Sequence, residues 1–175
     1  MNLTGARTIP VLIEEHIADA LPLAPLLVPG TTALDVGSGA GFPALVVAVL
    51  RPDVSFFLLE KNHKKAVFLR TMARELSLSK VKALDGDIDA PPAEMPRAFG
   101  AVMSRAVFAP GEWVARGASW VEPRGTLYAL LADAPTPETP GGFAAPALHE
   151  YKLGNGAARS IAAYRRASSS TEEGD

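Results

Sequence analysis

Cysteine is missing altogether from the 175 residues. Its absence excludes disulfides, thiolate-bound zinc and a cysteine nucleophile, and it suits a reducing compartment, so a cytoplasmic location is expected. Charge of one sign is also missing: 17 Lys and Arg stand against 19 Asp and Glu, leaving a net charge of −2. A global basic field of the kind that announces a nucleic-acid binder is therefore excluded, and any such contact must rest on local patches. Long hydrophobic runs are lacking too. None reaches the roughly 18 to 20 residues of a membrane span, and the opening "MNLTGARTIP" has no signal-peptide core. Neither a membrane nor a metal is expected as a partner.

The chain does have a strong alternation of elements. Residues 9 to 22, "IPVLIEEHIADALP", read as an amphipathic helix with Ile9, Leu12, Ile13, Ile17, Ala20 and Leu21 on one face. His16 falls within that face, where a histidine is more often a hydrogen-bonded packing residue than a ligand. "TALDV" (32–36) is a buried strand and "FPALVVAVL" (42–50) an all-apolar helix. "VSFFLLE" (54–60) is a second buried strand. The helix at 62–76 has Ala66, Phe68, Leu69, Met72, Ala73 and Leu76 on its buried arc, with His63, Arg70 and Arg74 opposite. Strands follow at 81–85, 100–104 and 125–131, with a helix near 111–119. "ALHEYKLG" and "RSIAAYRR" close the domain as an antiparallel pair. Residues 1–166 are expected to form one domain, and 167–175 a disordered tail.

Such alternation implies an α/β fold with a mostly parallel sheet and helices on both faces. Sheets of this kind bind ligands beyond the carboxyl ends of the strands, beside the first strand. There the sequence reads Asp35-Val36-Gly37-Ser38-Gly39-Ala40-Gly41-Phe42. A dinucleotide fingerprint needs a small residue where Phe42 stands. An acid two residues before the first glycine would repel a pyrophosphate, but it suits a cation. S-adenosylmethionine carries a sulfonium and an ammonium, and glycines let backbone pass close to its methionine moiety. Glu60, ending the second strand, is placed for ribose hydroxyls, a role that nicotinamide enzymes share. "DGDIDA" after the third strand offers Asp87 to Asp89 for an adenine. Together these favour a methyltransferase over a nicotinamide enzyme.

"NLTGARTIPVLIEEHIADAL", "LDVGSGAGFPA", "RPDVSFFLLEKNHKKAVFLR" and "VMSRA" resemble successive signatures of the GidB/RsmG family, the 16S ribosomal RNA guanine-N7 methyltransferases. The resemblance runs from about residue 2 to residue 166. It implies a Rossmann-like S-adenosylmethionine-dependent methyltransferase fold, with a seven-stranded, mostly parallel sheet and a C-terminal antiparallel strand. By position, it implies cofactor contacts from Gly37, Phe42, Ile88, Asp89 and Arg105, beside Asp35, Gly39, Gly41 and Glu60 from the turn argument. Guanine N7 has a free lone pair, so an in-line displacement needs no general base, and none is assigned. Candidate RNA contacts are Lys61, His63, Lys64, Arg70, Arg74 and Arg105. The implied partner is 16S rRNA or the small ribosomal subunit, with a monomer favoured.

Three features depart from the family pattern. The family usually has a helical segment before "NLT", whereas the sequence here begins at Met1-Asn2. Leu131 and Ala132 stand where a lysine and glycine are usual, and "APTPETPGG" replaces the next helix. Two alternatives therefore stay open: another RNA, protein or small-molecule acceptor, or a cofactor-binding member without turnover.

Overall fold

Apolar runs rich in Val, Leu and Phe become the central strands because both of their faces are covered. The computed structural model describes residues 8–168, so the expected tail lies outside the described residues from 169 onward. The strands are β1 (Thr32–Val36), β2 (Ser55–Glu60), β3 (Val81–Asp85), β4 (Phe99–Ser104), β5 (Val121–Leu131), β6 (Ala147–Lys152) and β7 (Ala158–Arg165). They form one sheet in the order β3-β2-β1-β4-β5-β7-β6. The first five pair in parallel, while β7 runs antiparallel between β5 and β6. This is the expected sheet, with the single reversed strand inserted next to the edge.

Two apolar layers flank the sheet. On one face Ala33, Phe56, Leu58 and Met103 meet Leu45 and Val47 of α3 (Ala44–Leu50) and Leu69 of α4 (His63–Glu75). On the other, Leu34, Leu59, Val102 and Leu127 pack on Trp113 and Val114 of α5 (Pro110–Gly117). Loops complete this second layer. Ile88 and Met95 contribute from the segment after β3. Pro137 of the proline-rich loop accepts a hydrogen bond from the buried Tyr164 hydroxyl at 2.7 Å.

The N-terminal helix departs from the expected amphipathic pattern. It begins as α1 (Ile9–Leu12), passes through a π-helical turn (Ile13–Ile17), resumes as α2 (Ala18–Ala20) and tightens into a 3-10 helix (Leu21–Leu26). A π turn adds a residue, so apolar positions before and after it no longer share one face. Ile9 (72% exposed), Ile13 and Leu21 consequently face solvent, while Ala20 and Leu23 are buried. Helix α3 also differs from the all-round burial expected, since Val49 and Leu50 are half exposed. β5 starts four residues early: Val121 pairs with Phe99, and the register then jumps to Thr126 beside Ala101, an irregularity within which Arg124 takes a left-handed conformation (φ 65°).

Arg51 anchors the N-terminal helix to the sheet layer. It donates to the carbonyls of Ala24 (2.7 Å) and Leu27 (2.8 Å), and its other nitrogens bond Asp53 at 2.9 and 2.7 Å. Asp53 in turn accepts from the Gly30 amide at 3.1 Å. Arg51→Ala is expected to lower the unfolding free energy by roughly 2 kcal/mol in urea denaturation, through the orphaned carbonyls. Arg51→Lys should recover little of this, because one ammonium cannot reproduce the fork.

Candidate functional site

The chain leaves β1 for β2 on one side and later returns to β4 on the other, so the switch point lies between β1 and β4. Ser104 at the end of β4 donates to the Val36 carbonyl at 2.8 Å and locks the two strand ends together. The glycine turn follows β1. Gly37, Gly39 and Gly41 have φ of 69°, 57° and 91°, a region L side chains rarely occupy. The Gly37 amide donates to the Leu59 carbonyl at 2.7 Å. Glu60 ties the turn to β2: one carboxylate oxygen accepts the Gly39 amide and the other the Asn62 amide, each at 2.8 Å. A Cβ on Gly37 would overlap the Val107 side chain, and one on Gly41 would overlap Leu45.

A cavity of about 460 Å³ opens beside this turn. Gly37, Gly39, Glu60, Ile88, Asp89 and Arg105 all line it, drawn from four separate strand ends. Asp35, Gly41 and Phe42 do not. Asp35 is 1% exposed beneath the turn, and its Oδ2 has no hydrogen-bond partner. Burial pushes its carboxyl up to about 7, opposed by the Ser38 hydrogen bond and by Arg105. Gly41 serves packing against α3. Phe42 lines a second cavity of about 590 Å³, which shares Gly37, Gly39, Arg105, Ala106 and Phe108 with the first.

Arg105 stands between the two cavities, held by the N-terminal helix. Its guanidinium donates to Asp19 (3.0 Å), the Glu15 carbonyl (3.2 Å) and His16 Nδ1 (2.7 Å). A guanidinium can only donate, so Nδ1 accepts and the His16 ring is neutral. Burial, then Arg105, lowers the His16 pKa. The ring stacks on Phe42 at 5.2 Å, with 20° between planes. Asp19 also accepts the Tyr151 hydroxyl at 2.8 Å, which ties this helix to β6. The π turn and the loss of a single apolar face accompany this docking.

The candidate RNA cations are not gathered together. Lys61 lines the first cavity, with Lys65 beside it. His63 is paired with Asp85, and Lys64 is exposed at the start of α4. Arg70 and Arg74 line a separate groove along β3. They lie roughly 10 and 16 Å farther along the helix than His63 at 1.5 Å per residue. Arg116 and Lys65 line the first cavity without having been expected there. Arg116 carries two bonds to Asp89 from 27 residues away, and only its i,i+4 pairing with Glu112 is visible in sequence. Among the described residues no cluster of His, Asp and Glu could hold a metal ion, and no helix is long and apolar enough to cross a membrane.

A family model described as "GidB: rRNA small subunit methyltransferase G" matches residues 1–153. The chain belongs to the GidB family. A relative from Chromobacterium violaceum, named ribosomal RNA small subunit methyltransferase G, is 40% identical over 113 residues, covering 65% of this chain and 53% of its own. One of the same name from an Anaeromyxobacter species is 38% identical over 132 residues, covering 75% and 61%. The chain thus spans a little over half the length of these GidB relatives. Among solved structures, TrmN from Thermus thermophilus aligns with a TM-score of 0.64 at 20% identity, over 86% of this chain and 48% of its own. An S-adenosylmethionine-dependent methyltransferase from Aquifex aeolicus aligns at 0.62 and 16% identity, over 88% and 93%. Both likenesses show the fold: a Rossmann-like methyltransferase sheet.

The turn makes a prediction that separates crowding from backbone strain. Gly30 has φ 72° and open space around its Cα, whereas Gly37 has φ 69° and Val107 against it. Gly30→Ala should cost about 1 kcal/mol, the left-handed penalty alone. Gly37→Val should cost upwards of about 3 kcal/mol, since overpacking adds to strain. Urea denaturation of both variants measures the difference.

Proposed function

We propose that this chain binds S-adenosylmethionine in the first cavity and methylates N7 of a guanine in 16S rRNA presented to the second. The observation that carries this reading is the meeting of the two cavities at Gly37, Gly39 and Arg105, at the switch point of the sheet. The residues present fit the cofactor. Gly37, in a left-handed turn, lines the cavity with backbone alone, and a buried carboxylate oxygen of the nearby Asp35 has no partner among the described residues. That oxygen suits an ammonium group, met directly or through a water.

Gly37 and Gly39 would then hold the methionine portion, Glu60 the ribose, and Ile88 with Asp89 the adenine. The bound cofactor supplies an electrophilic methyl group. This chain's own part is alignment, worth about 7–11 kcal/mol in well-oriented systems. No side chain is asked to remove a proton, because N7 attacks through a free lone pair. Phe42, stacked on His16, gives the second cavity an aromatic wall of the kind nucleobases pack against. Lys61, Lys64 and Lys65 near the start of α4 would meet phosphates of the surrounding RNA, whereas His63 is paired with Asp85 and Arg105 is already engaged. Such contacts make RNA affinity fall with salt. The protein acts as a cytoplasmic monomer on 16S rRNA or the small subunit.

A second reading rests on a specific observation. Leu131, 2% exposed, and Ala132 form an apolar wall of the second cavity where the family pattern has lysine and glycine. Another acceptor would suit that wall. Tritiated S-adenosylmethionine offered with small ribosomal subunits lacking the modification decides between them. Label released as 7-methylguanine is the expected result. Label only in another RNA, a protein or a small molecule favours the second reading. Cofactor binding without transfer to any of these overturns both.

A further inference from the structure

The segment after β3 is held by little of its own. Residues 86–98 contain no helix, and the local ties around Asp87 are an isolated bridge to Ala90 and a 3.1 Å bond from the Asp89 amide to its carboxylate. Asp89, at the Ile88 side of the first cavity, has a side chain that is 70% exposed. A lone carboxylate so exposed would turn into water, away from Asp87.

Arg116 prevents this from across the cavity. One of its terminal nitrogens donates to both Asp89 oxygens, at 2.8 and 2.7 Å, and its Nε donates to Glu112 at 2.9 Å. The guanidinium lies over the Phe108 ring, 5.1 Å from its centroid. Phe108 stacks on Trp113 at 6.2 Å, and the Trp113 indole N–H is itself bonded to the Tyr128 carbonyl at 2.9 Å. The guanidinium is thus fixed by two carboxylates, an aromatic face and the second core layer. Each Asp89 oxygen keeps a further lone pair.

We propose that Arg116 is a positioning residue for the adenine end of the cavity, holding the Asp89 carboxylate so that a free lone pair meets the adenine amino group. This rests on the cofactor reading above. It assigns the α5 arginine a part in base selectivity that its i,i+4 ion pair would not suggest. The pair also fastens the helix-free segment to α5, so the adenine wall is set before ligand arrives. A lysine at 116 could not do this, since one ammonium cannot replace a fork that grips Asp89 and Glu112 together.

Calorimetry with S-adenosylhomocysteine and S-inosylhomocysteine tests it. The inosyl analogue carries a carbonyl oxygen where adenine has the amino group, so it meets Asp89 with two acceptors face to face. Wild type is expected to prefer the adenosyl ligand by about tenfold, the worth of one partly exposed hydrogen bond to a charged group. In Arg116→Gln and Arg116→Lys the preference should fall to about twofold. Asp89→Asn should reverse or abolish it, and the double variant should lose nothing more. An unchanged ratio in Arg116→Gln overturns the proposal even if stability or overall affinity falls, because a purely structural role would weaken both ligands alike. If wild type binds neither ligand, the cofactor reading fails and this one with it.

Discussion

At the switch point, the backbone of Gly37 and the side chain of Val107 touch with no room for a Cβ between them. This approach ties the turn after β1 to the loop after β4, and the rest of the site is arranged around that junction. Every residue from Ser104 to Phe108 except Ala106 makes a distinct connection. Ser104 bonds the end of β1, Arg105 the N-terminal helix, Val107 the glycine turn, and Phe108 the Trp113–Arg116 side of α5. Ala106 accepts a left-handed φ of 58° to let these side chains diverge. The loop that follows β4 therefore forms part of the wall of both cavities, through Arg105, Ala106 and Phe108.

The electrostatics follow the same plan. Most charged groups at the site already have partners: Glu60 has two amides, Asp89 has Arg116, and Arg105 has Asp19 and His16. Fixed dipoles and ion pairs of this sort need little reorganisation when a ligand arrives. Among the buried acids of the site, Asp35 differs. Its buried Oδ2 has no partner among the described residues, and a carboxyl pushed up to about 7 is only partly ionised near physiological pH. A cationic ligand group would favour its ionised form.

The central strands and the glycine turn were legible because both are written locally. Unbroken apolar runs mark strands covered on two sides, and closely spaced glycines after a strand mark a turn with positive φ. Glu60 was legible for the same reason, as the last residue of such a run. The π turn was not, since a 3.6-residue period counted from Ile9 gives no sign of an inserted residue at 13–17. Arg70 and Arg74 were assigned to the correct face of α4, but a wheel of side-chain directions says nothing of height along the axis. Arg116 was invisible because its partner lies 27 residues away in a loop without periodicity. The burial of Asp35 was hidden likewise. The sequence places it at a strand end but does not say which way its carboxylate turns.

The central claim is that the cavity beside the glycine turn is where a nucleoside cofactor sits. Amide-resolved NMR of the ¹⁵N-labelled protein, titrated with S-adenosylhomocysteine, tests it most directly. The account predicts saturable shifts at Gly37, Gly39, Asn62, Ile88 and Arg105, with Arg74 and Leu148 unmoved. Shifts confined to the groove beside β3, or no shifts at all at saturating ligand, would contradict it.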